Sequence, residues 1–399
     1  VILSFKTIKD SKIFLKKDKN NREVRIYNLS NCQLVGDSEF YPNCLIYCKN
    51  NKKIYNPLDE KVMSLDKTIS KKRPNTYRLK TTKKINEPVF FFVLNVDNYY
   101  HFIYDTLTYL ISFFWLKQKI KNLKILTNYS GPSHSKFYKF VQEFLEILNI
   151  KNEDIVIADK TTIYSQIFIS ESFTHGINSN LPPRKEIYTF FKRIVKSVKI
   201  KTSTPKKIYI SRRTWLHNDF SNIGTNYTQR RKLINEDDLV NELKSKGFTE
   251  VFTEQLSTKE KIHLFKNAKE VAGAIGGGMV NVLFSKPCTK IHVFVSPTFL
   301  DINARFKFSF TGKNTLYYLN TKHVETTKYK KYMRVEIPSK KIVGEICDIK
   351  NNKLYVAYTN RAVAGWGQQD KHFIKKFNAD DCVPLDNGLN SSWVIKLPL

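Results

Sequence analysis

A chain of 399 residues with 41% hydrophobic and 13% aromatic content can bury a large core, and its length suits two domains better than one. A formal charge of +31 favours polyanionic partners. The lysines are scattered without an RNP-like or helix-turn-helix signature, which speaks against a specific nucleic-acid reader, and no apolar run approaches the roughly 20 residues that span a bilayer.

In chain order, residues 1–85 alternate short β-like runs (EVRIYNL, CLIYCK) with Asn, Asp and Lys turns, predicting a β-rich entry segment. PVFFFVL, residues 88–94, is a continuous apolar strand, and YYHFIYDTLTYLISFFWLKQKI, residues 99–120, reads as one long helix. LKILTN, IVIA and TIYSQIFI add strands, while KFYKFVQEFLEILNI and EIYTFFKRIVKSV have the i, i+3, i+4, i+7 spacing of amphipathic helices. Such alternation predicts a parallel sheet covered on both faces. The polar stretch 196–207 contains Pro205 and separates this block from a second one. There, KIYIS, EVFT, EVAGA and KIHVFV read as strands. EDDLVNELKSKG, TKEKIHLFKNA and MVNVLF read as helices, two of them with N-terminal caps at Asn235/Asp238 and Ser257/Glu260. The expected units are therefore 1–85, 86–200, 201–321 and a β-rich tail, 322–399.

AGAIGGGMVNVLFSKP, residues 272–287, poses the functional question. It is neither GxGxxG nor a P-loop, because Asn281 stands where a third spaced glycine would be and GK[ST] is missing. What remains is a strand ending at Ala274, glycines that admit close approach, and a helix start near Met279 that presents N–H groups to an anion. A close helix–strand crossing would use the same glycines. Ser211-Arg212-Arg213 follows a strand at the carboxyl edge where open α/β sheets bind ligands, and two guanidinium forks suit a diphosphate. Arg230, Arg231 and Glu254 fall near element ends expected on the same edge. His101 and Asp105, four apart on a helix face, suit a base and its orienting carboxylate, and equally a satisfied core histidine. The six cysteines have no CxxC pair and no Cys/His ligand spacing, so a structural zinc site is not expected.

The succession YISRR, RRKLINEDDLVNELKSKGF and VFTEQLSTKEKIHLFKNAKEVAGAIGGGMVNVLFSKP resembles the C-terminal half of glycosyltransferase family 61, and NYYHFIYDTLTYL resembles its N-terminal His-x-x-x-Asp motif. The resemblance implies a GT-B-like α/β fold of two Rossmann-like domains facing a cleft, with the β-rich segments at either end. It also implies an inverting transferase using a UDP-sugar, GlcNAc or xylose, on a hydroxyl of a glycan or glycoprotein. In that reading His101 is the base and Asp105 orients it, whereas Arg212, Arg213, Arg231, Glu254, Gly276, Gly277, Gly278 and Asn281 hold the nucleotide-sugar. Many members of that family carry a His before the glycine loop, where this chain has Ile275, a departure from the resemblance.

No D-x-D occurs in the chain, so the metal–diphosphate clamp of the other glycosyltransferase architecture has no obvious ligands, and neither metal nor further cofactor is expected. The rival reading is a non-catalytic basic binder of nucleic acid or polyanionic glycan on a degenerate transferase fold. The composition suits a microbe or a large DNA virus glycosylating in cytoplasm. Because the sequence starts at Val1, a leader or anchor upstream, and with it a secretory lumen, stays open.

Overall fold

The computed structural model describes residues 6–9, 24, 26–35, 44–50, 53–55, 83–93, 98–129, 136–174, 183–213, 232–233, 236–295, 304–310, 312–319, 329, 333–340, 342–350, 353–359, 372–384 and 392–393. The chain divides into two compact units, Lys16–Ser197 and Val1–Leu15 with Val198–Leu399. They part inside the polar stretch 196–207. The first strand, β1 (Lys6–Lys9), belongs to the second unit, where it pairs antiparallel with a strand near residue 316.

The unit Lys16–Ser197 is built on one mixed sheet. Its strands are β2 (Ile26–Val35), β3 (Leu45–Cys48), β4 (Lys53–Tyr55), β5 (Lys83–Ile85), β6 (Val89–Phe91), β7 (Lys124–Thr127), β8 (Ile155–Ile157) and β9 (Thr162–Ser170). Their spatial order is β4-β3-β2-β9-β6-β7-β8, with β5 also on β9. β9, β6, β7 and β8 run parallel, and β6 is buried at all three residues, the continuous apolar run of a central parallel strand. The entry segment expected to stand apart does not: β2 lies antiparallel along β9 from Ile26↔Ser170 to Gln33↔Ile163, so the β2–β3–β4 meander extends the sheet.

The single helix expected over residues 99–120 is broken. A short α-helical turn α1 (Tyr99–His101) passes into a π-helical turn, Phe102–Thr106, a 3-10 turn, Leu107–Tyr109, and then α2 (Leu110–Lys117). Every residue from Phe102 to Leu107 is buried. Polar groups enclosed on all sides must find local partners, and a widened turn is how this segment aims them. By contrast α3 (Lys139–Ile147) and α4 (Glu186–Ser197) bury the stripes their sequences forecast, Phe140, Val141, Phe144, Leu145 and Ile187, Phe190, Phe191, Ile194.

In the second unit the parallel strands are β10 (Lys207–Ile210), then, after the two-residue β11 (Lys232–Leu233), β12 (Thr249–Val251), β13 (Glu270–Ala274), β14 (Lys290–Val295) and β15 (Asn314–Leu319). The sheet order is β1-β15-β14-β13-β10-β12. Numbered along the chain, the five parallel strands lie 2-1-3-4-5, the flavodoxin-like doubly wound order. The crossovers hold α5 (Glu236–Ser245), α6 (Thr258–Asn267), a 3-10 helix Gly277–Phe284 and α7 (Ala304–Ser309). Ser257 and Glu260 cap α6 reciprocally, Ser257 N–H donating to Glu260 Oε2 at 2.7 Å. Asn235, the other expected cap, lies outside the described residues. Tyr209, Ala272, Ala274, Phe294 and Tyr318 form one sheet face with Leu239, Val240 and Leu243 of α5. On the other face Gly273 sits under Met279, whose Sδ would be 2.7 Å from a Cβ there.

The tail contributes an antiparallel sheet of β16 (Arg334–Ile337), β17 (Ile342–Lys350), β18 (Lys353–Thr359), β19 (His372–Asn378) and β20 (Val383–Pro384), ordered β19-β18-β17-β16-β20. Val335, Ile337, Ile346, Leu354 and Val356 centre its own small core. β21 (Ser392–Trp393) pairs parallel with β11, so the end of the chain returns to the segment between β10 and α5.

Candidate active site

The order 2-1-3-4-5 puts β10 and β13 side by side while their following connections leave in opposite directions along the sheet, and ligands of open α/β sheets bind at the carboxyl ends of such a pair. Ser211-Arg212-Arg213 leaves the end of β10, and Ile275-Gly276-Gly277-Gly278 leaves the end of β13. The third neighbour, β12, is parallel to β10 and ends in the 3-10 turn Thr253–Gln255, which carries Glu254. Three segments far apart in sequence therefore share one edge.

Their contacts are specific. Gly276 is extended, a backbone any residue adopts, yet a Cβ there would collide with the Arg212 guanidinium. Gly278 is needed for packing, since its Cβ would fall 2.8 Å from Ile210 Cγ2 and 3.0 Å from Thr253 Oγ1. Gly277 faces open space, with nothing within 4 Å of a Cβ. The helix starts at Gly277, two residues before the expected Met279, and is 3-10 in type. Its opening turn is closed by Met279 N–H donating to Gly276 C=O at 3.0 Å, which leaves the Gly277 and Gly278 N–H groups ahead of the helical ladder. Asn281 is fully buried and donates to the Gly278 carbonyl at 2.9 Å, so it shapes the loop from beneath.

The two arginines, paired in sequence, have different duties. Arg213 gives Nε and Nη2 to Glu250 at 2.9 and 2.6 Å and Nη1 to Asp237 at 2.6 Å. Burial opposes its charge, but these bonds outweigh that and hold the guanidinium pKa above its ordinary value. It fastens the turn to α5 and β12 and is committed there. Arg212 is anchored through its backbone, whose N–H donates at 2.7 Å to Glu236 Oε1, while its side chain crosses Gly276. Arg231 and Arg230 lie outside the described residues.

Glu236, the first residue of α5, carries no sequence signal and is 1% exposed. Besides the Arg212 N–H, it accepts from Tyr209 Oη at 2.8 Å and Ser211 Oγ at 3.4 Å. Its Oε2 has no hydrogen-bond partner among the described residues. Burial pushes its pKa up against the pull of those donors. A separation of 27 positions from Tyr209 hides this carboxylate from any spacing argument.

In the other unit, Asn98 caps α1 by accepting the His101 N–H at 3.2 Å, and the π-helical turn carries Asp105 back beneath the imidazole. His101 Nδ1 lies 2.6 Å from Asp105 Oδ2, with side-chain exposures of 18% and 6%. Thr174 Oγ1 donates to Asp105 Oδ1 at 3.4 Å, and Thr108 Oγ1 to the Asp105 carbonyl at 2.9 Å. A carboxylate can only accept, so the Nδ1 proton faces Asp105 and the lone pair of the neutral ring is on Nε2.

Among the described residues no group of three His, Cys, Asp or Glu is placed to hold a metal ion, and no helix is long and apolar enough to cross a membrane. Ile275 is fully buried, its N–H donating to the Phe294 carbonyl at 2.9 Å. No curated protein matches the chain. Residues 99–292 match the family model described as Glycosyltransferase 61, a span that takes in His101 and Asp105, Arg212 and the glycine loop. Residues 99–292 of this mixed α/β chain, which end in its doubly wound second sheet, thus carry a glycosyltransferase family 61 domain.

Proposed function

We propose that the chain is an inverting, metal-independent glycosyltransferase of GT-B type that moves a sugar from a UDP-sugar to a hydroxyl of a glycan or glycoprotein. The observation that carries the reading is the crossing of Arg212 over Gly276 at the switch point of the second sheet. A guanidinium fixed at a glycine loop, with two N–H groups ahead of the helical ladder, offers preorganised positive charge to a departing diphosphate. His101 Nε2 takes the proton of the acceptor hydroxyl as its oxygen attacks the anomeric carbon, and the bond from that carbon to the diphosphate oxygen breaks. Asp105 keeps Nδ1 protonated and stabilises the imidazolium. Arg212 and the loop N–H groups receive the charge released, the task a metal would perform in a D-x-D enzyme. Glu254 takes the ribose hydroxyls, and GlcNAc is the preferred sugar over xylose.

Thermal shift with UDP, ADP and GDP at fixed salt tests the donor site. At about 100 times its dissociation constant UDP adds ~2.7 kcal/mol, and the other two nucleotides add less. Equal shifts from all three, or binding that collapses with ionic strength whatever the base, would return the chain to the basic-binder reading.

A further inference from the structure

Two of the six cysteines, unremarkable by spacing, meet in the fold. Cys32 on β2 and Cys48 on β3 are register partners on adjacent antiparallel strands, 16 positions apart in the chain. The next residues outward are joined by Lys49 N–H donating to Asn31 C=O at 3.0 Å. By the alternation of antiparallel ladders, Cys32 and Cys48 then occupy a non-hydrogen-bonded position, where opposed Cα atoms lie about 4.5 Å apart. That is within the roughly 4.4–6.8 Å a disulfide bridges. Asn31, left-handed at φ 51° and donating to Asn50 Oδ1 at 3.1 Å, ties the same end of the ladder. Both thiols point inward, 0% and 2% exposed, with Sγ atoms 2.6 Å apart. The partner thiol and burial raise the Cys32 pKa.

We propose that Cys32 and Cys48 are a redox pair that closes into a cross-strand disulfide by exchange with a small disulfide such as oxidised glutathione. One cysteine attacks the small disulfide and releases one thiol; the second displaces the other from the mixed disulfide. Two electrons and two protons leave the protein on two small thiols, and one S–S bond staples β2 to β3. The reaction uses strand opening rather than surface access, so it is slow on the folded chain and fast during folding. It does not depend on the transferase reading.

The full chain is folded with oxidised or with reduced glutathione, denatured, alkylated, and weighed intact and after proteolysis. Reduced protein takes up six alkyl groups and oxidised protein four, with a linked peptide joining Cys32 to Cys48 that separates on reduction. In a Cys32→Ser, Cys48→Ser double variant the remaining four thiols alkylate equally under both conditions. Six alkyl groups under both conditions in the wild-type chain, or a linkage of either cysteine to another partner, overturns the proposal. The wild-type measurement needs no variant to fold.

Discussion

The His101–Asp105 turn and the Arg212–Gly276 crossing are built in opposite ways. The first is local: four positions on one helical segment bring imidazole and carboxylate to 2.6 Å, and a widened turn completes the aim. The second joins residues more than sixty positions apart, which become neighbours only because β10 and β13 pair in parallel register. Two other histidine and arginine settings sharpen the contrast. His292 is 0% exposed, bonded to Tyr318 Oη at 2.8 Å and near Glu270 at 3.3 Å, and burial lowers its pKa: that is a histidine of the core. His101 keeps an exposed edge. Arg213 likewise belongs to the framework, Arg212 to the loop. A local motif is already together in the sequence, whereas the residues of a topological cluster acquire their partners only once the strands are ordered.

His101 carries the largest expected effect. His101→Ala should leave UDP affinity intact while transfer falls by roughly 10² to 10⁴, the range of lost general-base catalysis, and Asp105→Asn should fall less. Turnover, UDP affinity and melting temperature are measured on one preparation. A well-folded His101→Ala chain with full turnover removes His101 from the mechanism.

At the topological side, Arg212→Ala should weaken UDP binding by on the order of 1.5–3 kcal/mol with little loss of stability. Arg213→Ala should do the reverse, since it takes the guanidinium from Glu250, whose side chain is 9% exposed and among the described residues keeps only the longer Lys244 contact at 3.4 Å, and costs about 1–3 kcal/mol of stability. Titration with UDP and denaturant melts of both variants decide the matter. If their phenotypes are exchanged, the diphosphate meets Arg213.

The glycines give a finer contrast. Gly278→Ala overpacks against Ile210 and Thr253 and should destabilise the fold by about 1–3 kcal/mol. Gly277→Ala meets nothing and should melt like wild type while UDP affinity drops. Unchanged affinity in Gly277→Ala would move the ligand off the loop.

The smallest effect concerns Glu236. Its pKa is raised in the folded chain, so the native state binds the proton more tightly than the unfolded state. The stability this provides is complete below the unfolded pKa and is lost as pH rises through the folded one, with a slope of at most ~1.4 kcal/mol per pH unit. Glu236→Gln keeps an acceptor for the Arg212 N–H and should flatten that slope. Parallel stability-versus-pH curves for the two proteins would show that Glu236 does not titrate in this window.

The sequence by itself determined what rests on neighbours along the chain. The amphipathic stripes of α3 and α4, the Ser257–Glu260 capping box, the apolar run of β6 and the four-residue offset of His101 and Asp105 all follow from helical or strand periodicity. Tertiary structure decided what rests on strand order and burial. It merged β2, β3 and β4 into the first sheet and broke residues 99–120 where every side is enclosed. It assigned Arg213 to Glu250 and Asp237, placed Glu236 beneath the Ser211–Arg212 turn, and set Cys32 opposite Cys48. Local propensity has a period of two or a little under four residues, but a carboxylate buried 24 positions from the amide it holds is specified only by the pairing of strands and the packing of a helix against them.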